Sequence, residues 1–314
     1  MAKPLKVMVL SGGISHERDI SLKSGRRVAD GLMAHGLEVS LRDPDAHLIN
    51  ALVADAPDVV WPVLHGASGE DGALRGLLDM LGIAYVGSDG ESTRLAWNKP
   101  VAKTLVERAG VPTPSSITLS RDAFRELGAA SVLDTVAERL GLPLVVKPAF
   151  GGSAQGVSWV DSTEELRKAM VHAFTYADSA LVEQRVMGVE VCVTIIDTGD
   201  GPLAVTPVEI SPLSGHYDFE ARYTAGATKF FTPPRLSQKV ITALEESATQ
   251  AFQALGLRHL ARVDFMVDGE GAPWFLEAST MPGLTETSST VLALDSAGYD
   301  VGSVYAALVN SATR

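Results

Sequence analysis

Leu260–Thr287 reads LARVDFMVDGEGAPWFLEASTMPGLTET, and the rest of the chain is best understood outward from it. Two β-rich runs, Ala261–Val267 and Pro273–Ser279, flank Asp268-Gly269-Glu270-Gly271, a hairpin-turn composition. Alternate residues of a strand share a face, so Arg262 belongs with Asp264, and Glu277 with Ser279. A turn of two or four residues sets Arg262 opposite Glu277 and projects both polar pairs from one face. A turn of three or five puts them on opposite faces. Carboxylates this close repel unless a cation lies between them. Oxygen ligands suit Mg²⁺, which takes one or two carboxylates together with phosphate oxygens and water. Arg262 could hold an anion on the far side, and Gly283 of Met281-Pro282-Gly283 can bring a backbone N–H up to a ligand. Taken alone, the pattern also describes a solvated hairpin face with a surface ion pair.

At 314 residues the chain has room for roughly two domains, or three small ones. Its 46% apolar and 20% charged residues are those of a soluble globular protein, which leaves disordered and fibrous classes aside. A net charge of −12, with no basic run to override it, argues against a nucleic-acid partner. The single cysteine, Cys192, lies in the apolar run Val191–Ile196 and reads as a buried structural thiol rather than a nucleophile. The opening MAKPLKVMVLSGG has too short an apolar run for a signal peptide, and no run reaches membrane-spanning length. A cytoplasmic protein without a membrane partner is expected.

Lys6–Leu10 is a short strand ending in Ser11-Gly12-Gly13, and a helical pattern follows from about Ile20 to His35. Strand, glycine turn and helix open a doubly wound α/β unit, although G-x-G-x-x-G is missing and a dinucleotide reading is weak. The turn holds His16-Glu17-Arg18-Asp19, which would also suit a solvated helix entrance. Val59–Val63 is a second strand, leading into Leu64-His65-Gly66-Ala67-Ser68-Gly69-Glu70-Asp71-Gly72 and a helix over Ala73–Leu81 with Asp71 suited to its cap. Ligands gather at the carboxyl ends of such strands, where both polar clusters fall. Tyr85–Asp89 closes this unit.

Leu95–Ala109 is read as one helix with Lys99 near its start, Ile117–Leu119 as a strand, and Ala123–Leu140 as a helix interrupted at Gly128. Pro143–Lys147 and Val157–Val160 are strands around Pro148–Gly156, a glycine-rich hairpin. It is not a Walker A loop, but its N–H groups can fold over phosphates; an ordinary flexible hairpin is the alternative. Leu181–Arg185, Glu190–Ile196 and Leu203–Glu209 are further strands. Ser211–Arg235 lacks regular pattern yet carries Tyr217, Phe219, Tyr223, Phe230 and Phe231, which suits a lid better than a disordered linker. Ser237–Leu255 is an amphipathic helix ending at Gly256, and a terminal helix spans Val301–Val309.

These pieces together resemble the D-alanine–D-alanine ligases of the ATP-grasp superfamily. The likeness is carried by SGGISHERDISLKSG (Ser11–Gly25), LHGASGEDGALRGLLDMLG (Leu64–Gly82) and NKPVAKTLVERAGVPTP (Asn98–Pro114). It continues through LPLVVKPAFGGSAQGVS (Leu142–Ser158), YDFEARYTAG (Tyr217–Gly226) and ARVDFMVDGEGAPWFLEASTMPGLTETS (Ala261–Ser288). The resemblance implies a three-domain α/β architecture: an N-terminal doubly wound parallel-sheet domain over 1–96, and two α+β lobes over 97–187 and 188–314 that sandwich ATP. It implies ATP-dependent joining of two D-alanines through an acyl phosphate, releasing ADP and phosphate, for peptidoglycan precursors, by a cytoplasmic homodimer.

Residue by residue, it implies that Glu17 holds the ammonium of the first D-alanine and that His65 lies near its carboxylate. Lys99, Lys147 and Arg222 serve the ATP phosphates under the loop around Ser153. Glu183 and the backbone of Val186 bind adenine, and Glu190 the ribose. Tyr223, Ser153 and Glu17 form a hydrogen-bonded set that closes the lid over 211–235. Asp264 and Glu277, with Ser279, bind two Mg²⁺ ions, for which Mn²⁺ can substitute. Arg262 and the Gly283 N–H hold the oxyanion, and Ser288 meets the second carboxylate. Ser279 stands where the family usually has Asn, Arg222 where it has Lys, and Ala154 and Ser289 also depart from the pattern. A ligase for another amino-acid or hydroxy-acid pair, or a non-catalytic nucleotide-binding relative, are the rival readings.

Overall fold

The computed structural model describes residues 3–313. The first sheet comprises β1 (Lys6–Ser11), β2 (Glu38–Arg42), β3 (Val59–Val63) and β4 (Ala84–Tyr85), all parallel in the order β2-β1-β3-β4. Every residue of β3 is buried, as expected for a strand covered on both faces. The second sheet is antiparallel, with β5 (Ser116–Ser120), β6 (Leu144–Pro148), β7 (Ser158–Val160) and β8 (Ser179–Gln184) in the order β5-β8-β6-β7. The third holds β9 (Gly188–Ile196), β10 (Leu203–Ala204), β11 (Val208–Pro212), β12 (Thr228–Phe231), β13 (Leu260–Asp268) and β14 (Pro273–Ser279). Its order is β12-β11-β9-β13-β14, with β10 on β9.

The last helix, Val301–Ala312, returns to the first sheet, where Tyr305 meets Trp61 edge-on at 5.3 Å. It crosses the helix Arg18–Ala34 at Gly31, where an added Cβ would lie 3.2 Å from the Tyr305 ring. The N-terminal sheet and the C-terminal residues therefore share one apolar core.

The hairpin β13–β14 resolves the open question of its turn. Val267 pairs with Pro273, leaving the five residues 268–272 in the turn, and an odd turn alone would have split the polar pairs between faces. But Phe265 pairs with Phe275 while Asp264 pairs with Glu277, so Leu276 is the extra residue of a β-bulge. The bulge undoes the odd count. Asp264 faces Glu277, and Arg262 faces Ser279 rather than Glu277. Asp268 fixes the turn by accepting from the N–H groups of Glu270 and Ala272, both at 2.9 Å, and from Trp274 Nε1 at 2.8 Å.

Other boundaries move for local reasons. Leu95–Ala109 is two helices, Gly90–Trp97 and Lys99–Arg108, because Asn98 leaves helical geometry and caps the second through Val101 N–H. Within Tyr85–Asp89, β4 stops at Tyr85, and Asp89 caps the helix Gly90–Trp97. The cap of Ala73–Leu81 is Gly72, with Asp71 one place earlier accepting from Ala73 N–H at 2.8 Å. Leu203–Glu209 divides into β10 and the start of β11. The segment 211–235 is more regular than its sequence suggests, containing the helix Phe219–Tyr223, capped by Asp218, and β12. Four helices absent from the sequence reading are Leu48–Asp55, the short Ala67–Glu70, Thr163–Ala173 and Ser289–Ser296.

A buried junction ties the first unit to the third. His259, at φ 64°, accepts from Gly87 N–H through Nδ1 at 2.9 Å, and Arg258 Nε donates to Gly87 O at 2.9 Å. Burial, then the Arg258 charge, push the imidazole down to about 4. Native His259 thus stays neutral where the unfolded chain takes up a proton, and its contribution, complete above about 6.5, is lost as pH falls towards 4. His259→Asn tolerates the positive φ and keeps an acceptor for Gly87. We expect it to flatten the fall of Tm between pH 6.5 and 4, removing on the order of 2–3 kcal/mol of pH dependence. An unchanged slope in thermal scans would show that His259 does not govern this junction.

Candidate active site

The three sheets enclose two connected cavities. The wider, of 1410 Å³, is lined by Glu17, His65, Glu70, Ser153, Arg262 and the 279–289 loop, among others. The narrower, of 190 Å³, lies between the second and third sheets and is lined by Lys147, Glu183, Val186, Glu190, Asp264 and Leu276, among others. Lys99, Arg222 and Glu277 line both.

In the wider cavity, Glu17 stands at the start of the helix Arg18–Ala34 with its side chain turned away from capping. Its Oε1 accepts from Ser153 Oγ and, at 3.0 Å, from Tyr223 OH; Ser153 and Tyr223 also meet each other at 2.6 Å. Three distant segments are thereby joined, with the lid resting on the glycine-rich loop. Ser153 adopts φ 54°, part of the tight turn that aims its hydroxyl inward. His65 Nδ1 lies 3.1 Å from Met281 O, and because a carbonyl only accepts, Nδ1 carries the proton. Nε2 is then a buried acceptor with no partner among the described residues, and burial pushes the imidazole's pKa down.

The hairpin gives the site its charge. Arg262 forks onto Asp264, Nε to Oδ1 at 2.7 Å and NH2 to Oδ2 at 2.8 Å. Glu277 receives Lys99 Nζ at 3.2 Å. Burial opposes the Glu277 charge, but Lys99, Lys147, Arg222 and Arg262 outweigh it and hold the carboxyl down at about 2. Ser279 Oγ donates to Glu70 Oε1 at 3.1 Å, so its hydrogen is directed away from Asp264 and Glu277. Burial, then the Glu17 charge, push Glu70 up to about 7. In the 283–288 turn an added Cβ on Gly283 would lie 2.9 Å from Ser288 Oγ, which itself accepts from Thr285 N–H at 3.0 Å. Only glycine lets these two approach so closely.

In the narrower cavity Glu183 is held by two ammonium groups, Lys147 at 2.6 Å and Lys103 at 2.5 Å, and Lys103 also donates to Pro114 O at 2.8 Å. Burial disfavours the Glu183 charge, but the two lysines keep its pKa lowered. Glu190, without such partners, is pushed up to about 7 chiefly by burial. Arg222 lies 4.2 Å over the Tyr217 ring. Cys192 is buried, which pushes its thiol up to about 12 and leaves it unreactive.

Asp264 and Glu277 oppose each other across adjacent strands, Asp264 paired with Arg262 and Glu277 with Lys99, an ammonium that a polyphosphate could draw away. Among the described residues no cluster of three or more acidic, His or Cys side chains forms a complete metal cage. Two carboxylates with room for phosphate oxygens and water fit Mg²⁺, which seldom takes an all-protein site.

The family described as D-ala D-ala ligase C-terminus matches residues 105–310, and that described as D-ala D-ala ligase N-terminus matches residues 42–88. A D-alanine–D-alanine ligase of Pelotomaculum thermopropionicum is 37% identical over 98% of this chain and 96% of its own. The chain belongs to the D-alanine–D-alanine ligase family. Among solved structures, the VanG D-Ala:D-Ser ligase of Enterococcus faecalis superposes with a TM-score of 0.85 at 26% identity, over 99% of this chain and 100% of that one. The Bacillus anthracis D-alanine–D-alanine ligase complexed with ATP gives 0.79 at 26% identity, over 98% and 96%.

Within this ligase fold, every residue to which the resemblance gave a role in the site lines one of the two cavities. Lys103, Glu70 and Arg75 were missed. Lys103 lies four residues after Lys99 on one helix and hence on the same face, a readable signal. Glu70 and Arg75 gave less: their weight comes from burial, with Arg75 donating to Gly69 O to shape the loop that carries His65. Among the described residues no helix is long and apolar enough to cross a membrane.

Proposed function

We propose that this enzyme uses ATP to join two D-alanines into D-alanyl-D-alanine for peptidoglycan, releasing ADP and phosphate. The observation that carries the reading is the meeting of a narrow slot and a wider cleft at Lys99, Arg222 and Glu277, where a γ-phosphate and a substrate carboxylate would lie together. A carboxylate is a poor electrophile and must become an acyl phosphate before an amine can displace it. That transfer is mostly positioning and charge neutralisation, and Lys99 and Arg222 supply positive charge at the junction. Asp264 and Glu277, with Ser279 beside them, would hold Mg²⁺, which would screen the charge of the phosphate oxygens. Lys147 serves the ATP phosphates, Glu183 and the backbone of Val186 form the base end of the slot, and Glu190 faces the ribose. Arg262 NH1, with its other two nitrogens on Asp264, and the Gly283 N–H receive the oxyanion that forms when the second amine attacks. Ser288 meets the second carboxylate. His65 Nε2, an acceptor, suits an ammonium hydrogen better than a carboxylate oxygen. The Glu17–Ser153–Tyr223 contact keeps water from the acyl phosphate.

The proposed division is 1–96, 97–187 and 188–314, in a cytoplasmic enzyme. The exposed apolar Val53, Leu77 and Met80 on the N-terminal helices support a homodimer.

Glu17→Gln neutralises the carboxylate that the reading places on the first ammonium. We expect kcat/KM for D-alanine to fall about ten- to a hundredfold with ATP affinity nearly intact. A collapse of ATP affinity would move Glu17 out of the amino-acid site. The function itself is tested by phosphate release with ATP, Mg²⁺ and D-alanine paired with D-alanine, D-serine, D-lactate or L-alanine. Release with the D-alanine pair is expected. Preference for D-serine would make the enzyme a mixed-pair ligase, as the name of the similar Enterococcus structure says of that protein. No release with any pair would favour a non-catalytic nucleotide-binding protein.

A further inference from the structure

Trp159 stands in the middle of β7, the edge strand of the second sheet, and pairs with Val145 of β6. Side chains alternate along a strand, so Val145, Lys147, Val157 and Trp159 all present themselves to the narrower cavity. The His216 ring, from the 211–235 segment, lies against the Trp159 ring with centroids 4.3 Å apart and planes inclined by 23°. His216 is aimed by its own turn: Ser214 Oγ donates to His216 O at 2.9 Å, and Gly215 at φ 83° reverses the chain between them. Seven residues on, Tyr223 reaches Glu17 and Ser153. The lid is therefore fastened at two places, by hydroxyl–carboxylate contacts over the amino-acid cleft and by two stacked rings beside the nucleotide slot.

We propose that Trp159 and His216 are positioning residues for the purine nucleotide, their stack closing the slot and slowing nucleotide escape while the lid is down. This rests on the reading that the narrower cavity takes ATP. The rings join the edge strand β7 to the 211–235 segment. A nucleotide leaving past them must part an aromatic contact, which affects retention rather than the chemical step.

The test is stopped-flow dissociation of a fluorescent mant-ATP, which needs no ligation. With His216→Ala we expect release about three- to tenfold faster and a matching rise in KM for ATP, with KM for D-alanine and Tm unchanged. His216→Phe keeps a ring and should restore the parent rate. Trp159→Ala should match His216→Ala, and the double variant should be no worse than either single one, since both remove the same contact. Parent-like release from His216→Ala, or additive effects in the double variant, overturns the proposal. If the parent binds no mant-ATP, both this inference and the functional reading fail. If it binds and the stack variants release it faster, yet no amino-acid pair is ligated, only the ligase reading fails.

Discussion

Replacing Arg262 by lysine is expected to lower kcat by on the order of a hundredfold or more while changing ATP affinity little. Arg262 uses Nε and NH2 on Asp264, a planar fork that fixes the third nitrogen towards the cleft. Lysine keeps the charge but has a single nitrogen, which cannot hold Asp264 and meet an oxyanion together. Asp264 would then lose either its partner or its orientation. The loss should fall on kcat because the oxyanion develops only in the transition state. Steady-state kinetics with varied D-alanine and ATP separate the cases, and near-normal turnover would remove Arg262 from the chemistry.

Glu183→Leu is expected to be the most damaging substitution for stability. Lys103 and Lys147 are both almost fully buried, at 3% and 7% exposed, and Glu183 carries the only carboxylate bonded to either among the described residues. Removing the shared partner of buried charges typically costs about 3–5 kcal/mol. Lys103→Met should cost less, because Lys147 still meets Glu183. Adding Lys103→Met to Glu183→Leu should recover part of the loss, the mark of an interaction rather than two separate defects. Urea denaturation of the four proteins measures this. If Glu183→Leu stays within 1 kcal/mol of the parent, taking about 1 kcal/mol as the ordinary effect of a point change, the three side chains do not form one buried unit.

How much of this was readable from the residues varies with how local the physics is. The paired carboxylates and the arginine of the hairpin were legible, because their two-residue spacing survives into the strands. Their common face was not. It depends on Leu276 dropping out of register, and no neighbouring residue announces a bulge. The helix Thr163–Ala173 was signalled and overlooked: Ser162 caps it, and Glu165 reaches back to Asp161 N–H at 2.8 Å. Asn98-Lys99-Pro100 likewise carried its own helix start, with a capping Asn before a proline in the first turn. The contacts that assemble the site were beyond local pattern. Glu17, Ser153 and Tyr223 are separated by 136 and 70 residues, and Ser279 and Glu70 by 209. Only the resemblance to a family could bring the first set together, and it did not anticipate the second.

The central claim is that the carboxylate of one D-alanine is phosphorylated by ATP before the other amine attacks. D-Alanine labelled with ¹⁸O in its carboxylate tests it directly, with mass spectrometry of the phosphate released during turnover. Attack on an acyl phosphate expels phosphate that keeps the bridging oxygen, so each phosphate should carry one ¹⁸O atom from the amino acid. Phosphate free of label, formed alongside D-alanyl-D-alanine, would contradict the mechanism.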